Sequence, residues 1–255
     1  MEQNRKEAAA KRAAEHVRDM HQTYLERIIY SSKDAVVYSG GSRLMDDIVC
    51  RLVVENMDSV QALFAHGGTG HEESGITAVL NFASYKEPGG KFLDGSMTQE
   101  EALCHASTLY NVLTRKDEYY AYNREHLNRG LYLDRALYTP DILFIYKDEG
   151  MQADVITCAA PNRRVAQKYC NVSDEEVYAV MKKRIDFILN TAKNEGVETL
   201  ILGAFGCGVF GNDAEEVAGI FKELLEGKYS RSFKKAVFAV PGGPNLDAFK
   251  KVFGV

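Results

Sequence analysis

The rhythm of apolar and polar positions changes along the chain and predicts its elements. Residues 2–29 are rich in Ala, Glu, Lys and Arg and hold no Gly or Pro, which is helix composition. Short apolar runs of strand type follow, Ala35-Val36-Val37-Tyr38 and Leu52-Val53-Val54. Asp58-Ser59-Val60-Gln61 has the spacing of a helix cap and opens a short helix reaching Phe64. Ile76 to Phe82 is a nearly continuous apolar run, a buried strand with Asn81 near its end. From Gln99 to Leu113 the period turns helical, with Leu103, Ala106, Tyr110 and Leu113 on one face. Asp141–Tyr146 and Asp154–Cys158 read as strands, and Ser173-Asp174-Glu175-Glu176 caps a long helix ending near Lys193. A strand at Thr199–Leu202, a helix at Asp213–Leu225, a strand at Ala236–Val240 and a helix at Leu246–Phe253 complete the pattern. Short strands alternating with amphipathic helices imply an α/β fold with a parallel or mixed sheet. No linker interrupts it, so we expect a helical extension over residues 1–30 and one domain over 31–255.

Composition narrows the classes. The net charge of −5 gives no bulk attraction for a nucleic-acid backbone, so direct nucleic-acid binding is not expected. No apolar run nears the roughly 20 residues that span a bilayer, and the charged N-terminal stretch lacks a signal peptide's apolar core. The five cysteines are widely spaced and form no C-x-x-C pair. That pattern indicates neither a disulfide framework nor a zinc knuckle, and fits a reducing cytoplasm.

Two loops stand at strand ends, where α/β sheets bind ligands. One runs from Asn81 through Gly89 and Gly90 to Gln99-Glu100-Glu101. The other is Gly203 to Asp213, with four glycines between Gly203 and Gly211. Such a loop before a helix suits an anionic pyrophosphate, because bare backbone N–H groups and the helix dipole both face it. It is neither a Walker loop nor a dinucleotide fingerprint. A tight turn needing left-handed residues explains the same glycines. The acidic pair is equally two-sided. Thr98-Gln99-Glu100-Glu101 is the spacing of a capping box, yet adjacent carboxylates beside a glycine-rich loop also suit glycosidic cleavage. That reaction needs one acid to protonate the leaving oxygen and one carboxylate to activate water. Crowding would raise the pKa of one of them.

At these loops the sequence resembles the bacterial-type poly(ADP-ribose) glycohydrolases, a branch of the macrodomain superfamily. Their signature is a glycine triplet, a short spacer and Gln-Glu-Glu. Here Gly89-Gly90-Lys91 precedes Gln99-Glu100-Glu101, with Lys91 where the third glycine is expected. Asn81-Phe82-Ala83 is similar to the family's ribose-contacting asparagine segment, and Gly206-Cys207-Gly208-Val209-Phe210-Gly211 to its diphosphate loop. Ala160-Pro161-Asn162 and the strand–Asn245–helix end also look familial, so the resemblance spans about residues 35–253.

The resemblance implies a three-layer α/β/α sandwich with a mixed sheet. It implies hydrolysis of the ribose–ribose O-glycosidic bond from the chain end, releasing ADP-ribose, without cofactor or metal. Glu101 would be the acid/base, and Glu100 would hold a hydroxyl of the scissile ribose pair. Asn81, Gly89, Gly90, Gln99, Gly206, Cys207, Gly208, Val209, Phe210 and Gly211 would bind substrate, with Phe210 packed on the distal ribose. The implied partner is ADP-ribose or its polymer on modified proteins. A mono-ADP-ribosyl hydrolase and a non-catalytic ADP-ribose reader are the alternatives, and a reader has no need of the glutamate pair.

Other features read blandly. His66 with His71-Glu72-Glu73 lacks a metal-ligand spacing. Cys207 reads as a small buried filler rather than a nucleophile, and His105 as a helix-surface residue. Tyr119, Tyr120 and Tyr122 are placed at a core edge. Phe238 and Asn245 are candidates for packing adenine.

Overall fold

The computed structural model describes residues 2–38, 49–68 and 75–255. In it, Val36–Tyr38 (β1), Arg51–Glu55 (β2), Ile76–Phe82 (β3), Ala136–Tyr146 (β4), Glu149–Cys158 (β5), Val197–Leu202 (β6) and Lys235–Ala239 (β7) form one sheet in the order β1-β4-β5-β3-β6-β7-β2. β5, β3, β6, β7 and β2 run parallel, and β4 pairs antiparallel with β5 and β1. The sheet is therefore mixed.

Residue alternation along the central strands builds the layers. Ala78 and Leu80 of β3, Leu200 and Leu202 of β6, and Ala236 and Phe238 of β7 point into one core. Helices Asp174–Asn194 (α7), Ala214–Glu226 (α8) and Pro244–Phe253 (α9) cover it. Val79, Ile201 and Val237 point into the opposite core. That side is covered by Glu2–Asp34 (α1), Ser59–His66 (α2), Gln99–His105 (α3), Leu109–Leu113 (α4) and Asp117–Glu125 (α5). Both faces being covered explains why these strands read as unbroken apolar runs. The result is the three-layer α/β/α sandwich.

The local signals hold where the caps are strong. Asp58 accepts from Gln61 N at 2.8 Å and Ser173 Oγ from Glu176 N at 3.2 Å, fixing the starts of α2 and α7. The helix expected over 99–113 is instead broken into α3 and α4. Ala106 O accepts from Ile145 N at 2.7 Å and Thr108 N donates to Leu143 O at 3.1 Å, so residues 106–108 bond to β4 rather than continue the helix. Strands β4 and β5 extend well beyond the apolar runs that marked them. Helix α5 and Arg163–Cys170 (α6) are short and mostly polar and were not anticipated.

Helix α1 lies on the body through Ala13 and Ile28, both fully buried. His16 Nε2 lies 2.9 Å from Ser107 O, and Asn111 Nδ2 donates to Val17 O at 3.1 Å. The helix continues to Asp34, past the expected end at 29.

Candidate active site

Loop direction creates the cleft. The chain leaves β3 toward α3 on one face of the sheet, whereas it leaves neighbouring β6 toward α8 on the other. Between strands whose following segments diverge, the sheet edge opens into a crevice at the carboxyl ends. Loop 83–98 and loop 203–213 flank it.

Glu100 and Glu101 begin α3 and are 3% and 4% exposed. Gln99 anchors them. Its Nε2 donates to Leu80 O at 2.8 Å and Ser59 Oγ at 3.0 Å, and its Oε1 accepts from Phe82 N at 2.8 Å. The Gln99 amide thus ties α3 to the end of β3 and to α2, and is committed to the fold.

Glu100 accepts from Ser84 N at 2.7 Å and from Asn81 Nδ2 at 3.2 Å. The same Asn81 nitrogen reaches Thr157 Oγ1 at 3.3 Å, and Asn81 Oδ1 is buried with no partner among the described residues. Burial pushes the Glu100 carboxyl up to about 8, with help from Glu101 and against the Ser84, Asn81 and Gly89 hydrogen bonds. A carboxyl with such a pKa carries a proton at neutral pH. Glu101 takes different donors: its Oε1 accepts from Lys91 N at 3.0 Å and its Oε2 from Thr98 N at 3.0 Å, the reciprocal half of a capping box. The cap therefore fixes the carboxylate toward the glycine loop.

The loop glycines divide by purpose. Gly90 has φ +60, and a Cβ there would lie 2.8 Å from Glu101 Oε1 and 2.9 Å from Glu100 Oε2. Both carboxylates therefore face the bare α-carbon. Gly89 has φ +67 and sits against Tyr110, where a Cβ would come within 2.6 Å of the ring. Lys91 lies outside the left-handed region and its side chain is exposed. Its backbone N–H supplies the hydrogen bond to Glu101, so this position does not require glycine.

In the second loop, Gly206 and Gly211 have φ +75 and +73, and their missing side chains make room for Ala160 and Asn212, and for Arg164. Gly208 has ordinary backbone and open space around it; no packing demand explains it. Cys207 is partly buried, and burial pushes its thiol up to about 12. That is the behaviour of an inert filler rather than a nucleophile. Val209 is 69% exposed at the loop's tip.

The two loops meet through aromatic rings. Phe82 packs on Phe205 at 5.7 Å, and Tyr85 stacks on Tyr132 at 4.1 Å. Phe210 meets Tyr132 edge-on at 6.1 Å. Asn212 Nδ2 pins the glycine loop to Gly206 O at 3.0 Å and Pro161 O at 2.9 Å. Asn212, Thr157, Ser84 and the Tyr85–Tyr132 pair escaped the sequence reading, because each is joined to the site only by folding. Tyr120, expected at a core edge, is buried; its hydroxyl has no partner among the described residues, and burial followed by Glu100 suppresses its ionisation.

Some expectations are corrected. Phe238 is fully buried among Phe221, Phe249 and Phe253, so it cannot face adenine; Asn245 is half-buried at the start of α9. His105 is not on the surface but half-buried under α1, against Phe92 at 4.6 Å. Tyr119 and Tyr120 are buried, whereas Tyr122 is 40% exposed and carries Arg135 over its ring. His66 lies 3.6 Å from Glu55, and His71, Glu72 and Glu73 lie outside the described residues. No described helix is long and apolar enough to cross a membrane.

Comparison with known proteins gives the family of this fold. The family model for the microbial-type PARG catalytic domain matches residues 26–147, which include Asn81, Gly90 and both glutamates. The solved structure of poly(ADP-ribose) glycohydrolase from Thermomonospora curvata is 29% identical, with a TM-score of 0.87 over 97% of this chain and 100% of that one. The same enzyme bound to the inhibitor ADP-HPD matches at 29% identity and TM-score 0.84, over 96% of this chain and 99% of that one. The poly(ADP-ribose) glycohydrolase from Deinococcus radiodurans in complex with ADP-ribose is 30% identical, with a TM-score of 0.81 over 89% of this chain and 96% of that one. A search of curated protein sequences finds no match. Sequence model and fold agree: the chain belongs to the microbial-type poly(ADP-ribose) glycohydrolases, a family of glycosidases with a macrodomain-like fold.

Proposed function

We propose that this glycohydrolase cleaves the ribose–ribose O-glycosidic bond at the end of poly(ADP-ribose), releasing ADP-ribose, with Glu101 as general acid and then general base. One observation carries the reading. Two buried carboxylates from adjacent residues converge on the single α-carbon of Gly90, with oxygens 2.8 and 2.9 Å from where its side chain would stand.

The chemistry follows from what the pair can hold. Burial keeps a proton on Glu100 near neutrality, beside the carboxyl of Glu101. Glu101 gives a proton to the leaving 2′-oxygen as the C1–O bond breaks, and the bond's electron pair goes to that oxygen. The sugar becomes oxocarbenium-like. The Glu101 carboxylate then takes a proton from water, whose oxygen bonds to C1, and the acid is restored. Glu100, steadied by Asn81 and Ser84, holds a ribose hydroxyl.

The backbone of Gly206-Cys207-Gly208-Val209-Phe210-Gly211 serves the diphosphate, and open Gly208 supports this. Phe210, buttressed by Tyr132 and Tyr85, gives the terminal ribose an apolar wall, which supports entry by the chain end. Residues 31–255 carry the chemistry, and the helical extension over 1–30 braces the loop before Glu101. The substrate is the polymer on modified proteins, and five free cysteines fit a cytoplasmic setting.

The test incubates automodified poly(ADP-ribose) polymerase with the wild type and with Glu101→Gln. Wild type should release ADP-ribose, and the variant should be slower by roughly 10²–10⁴-fold while still binding ADP-ribose. Release of only the protein-linked unit would reassign the activity to mono-ADP-ribosyl hydrolysis. Binding without release by the wild type would leave a reader.

A further inference from the structure

We propose that the groove between the first turns of α1 and residues Gly95–Met97 is a second substrate subsite, which holds the anionic body of the polymer while its end is cut. This rests on the glycohydrolase reading and extends it to a surface outside the cleft.

The groove is built by sequence. Arg5, Ala8, Ala9 and Arg12 recur at the spacing of one helix face. Two small alanines between two arginines leave a hollow of about 610 Å³, within the roughly 300–1,000 Å³ of small-molecule clefts. Arg5, Lys6 and Arg12 line it together with Asn4, Ser96 and Met97, and among the described residues no carboxylate does. In a chain of net charge −5, such a cationic hollow opposes the bulk field. Arg5 and Arg12 are exposed and form no ion pair among the described residues. Met97, 60% exposed, gives a base or sugar an apolar face.

The groove is continuous with the catalytic loop. A Cβ on Gly95 would lie 2.2 Å from Lys6 O, so the α1 backbone rests directly on this glycine. On the groove's rim, Ser96 N donates to Lys91 O at 3.1 Å. Lys91 N in turn donates to Glu101 Oε1 at 3.0 Å. A polymer whose end reaches the carboxylates has its next pyrophosphates to place. Arg5 and Arg12 beside the loop answer that charge with the guanidinium geometry suited to phosphate.

The test compares Arg5→Glu/Arg12→Glu with the wild type, each also carrying Glu101→Gln for the binding measurements, on ADP-ribose and on polymer of increasing length. The expected result is at least a tenfold loss of affinity for long polymer and none for ADP-ribose. The salt dependence of polymer binding should also become shallower, by about 1.4 in slope if two phosphate contacts vanish. In the active background, KM for long polymer should rise with kcat unchanged. Arg5→Lys/Arg12→Lys, which preserves charge, should keep most of the length dependence and controls for folding. Equal loss for ADP-ribose, or no loss for long polymer, overturns the groove. Single-stranded RNA binding as tightly as polymer, with the same loss in the variant, overturns it in favour of nucleic acid. A wild type that releases no ADP-ribose defeats the glycohydrolase reading itself. Release with an affinity that does not grow with length defeats only the groove.

Discussion

Replacing Gly90 with alanine strikes the point where the two carboxylates meet. The new Cβ would stand 2.8 Å from Glu101 Oε1 and 2.9 Å from Glu100 Oε2, closer than carbon and oxygen pack. Neither carboxylate can swing away freely. Glu100 is held by Ser84 N at 2.7 Å and Asn81 Nδ2 at 3.2 Å, and Glu101 by Thr98 N at 3.0 Å. The loop or the pair must therefore move by about half an ångström, the tolerance within which a catalytic constellation has to be held. Alanine at φ +60 adds a backbone cost of about 1–2 kcal/mol. In a chain of this length that lowers Tm by roughly 2–8 °C. The displacement matters more for turnover, since a misplacement of about 1 Å costs on the order of 100-fold. We expect kcat to fall about 10–100-fold in a protein that still folds. The assay is ADP-ribose release from saturating polymer, with thermal unfolding at the same pH. A folded Gly90→Ala variant with turnover within about twofold of wild type would refute the placement of the reacting bond beside this α-carbon.

Lys91→Gly should change turnover by less than about threefold and cost roughly 0.5–1 kcal/mol of stability, because only the backbone N–H of Lys91 serves Glu101; a collapse of activity in steady-state release would show that the lysine side chain acts. Gln99→Ala removes three hydrogen bonds and leaves Leu80 O and Phe82 N short of partners, so denaturant unfolding should reveal a loss of about 2–4 kcal/mol; a near-neutral variant would remove Gln99 as the anchor of α3. Glu100 gives a pH signature. Its pKa is raised in the fold, so its stabilising contribution is present below its ordinary value of 4.5 and is lost as pH rises through about 8. Unfolding followed between pH 5 and 8 should therefore show falling stability, by a few kcal/mol at most, and Glu100→Gln should flatten that fall; an unchanged slope would mean that Glu100 is ionised throughout.

Legibility in the sequence followed how local each signal was. Asp58 and Ser173 announced their helices because a cap is satisfied within three residues. Strand β3 was legible to its last residue, since burial on both faces keeps the run apolar but for Thr77 and Asn81. The break between α3 and α4 was not, because its cause is a bond to β4 from residues more than thirty positions away. The motif carrying Glu100 and Glu101 was visible as spacing, yet a cap and a catalytic pair write the same letters. Only the fold brought the two carboxylates together, by turning both onto Gly90.

The sequence by itself determined the alternation of strands and helices, the two glycine loops and the identity of the acidic pair, because these depend on local periodicity, backbone freedom and residue chemistry. Tertiary structure decided the rest. It buried Glu100 and so raised its pKa, freed position 91 from any need for glycine, moved Phe238 into the core, and set Tyr85, Tyr132 and Phe210 side by side. It also laid the arginines of α1 beside the loop that leads to Glu101. Each outcome depends on which distant segments the sheet brings together, and desolvation, ring contact and charge proximity exist only once they meet.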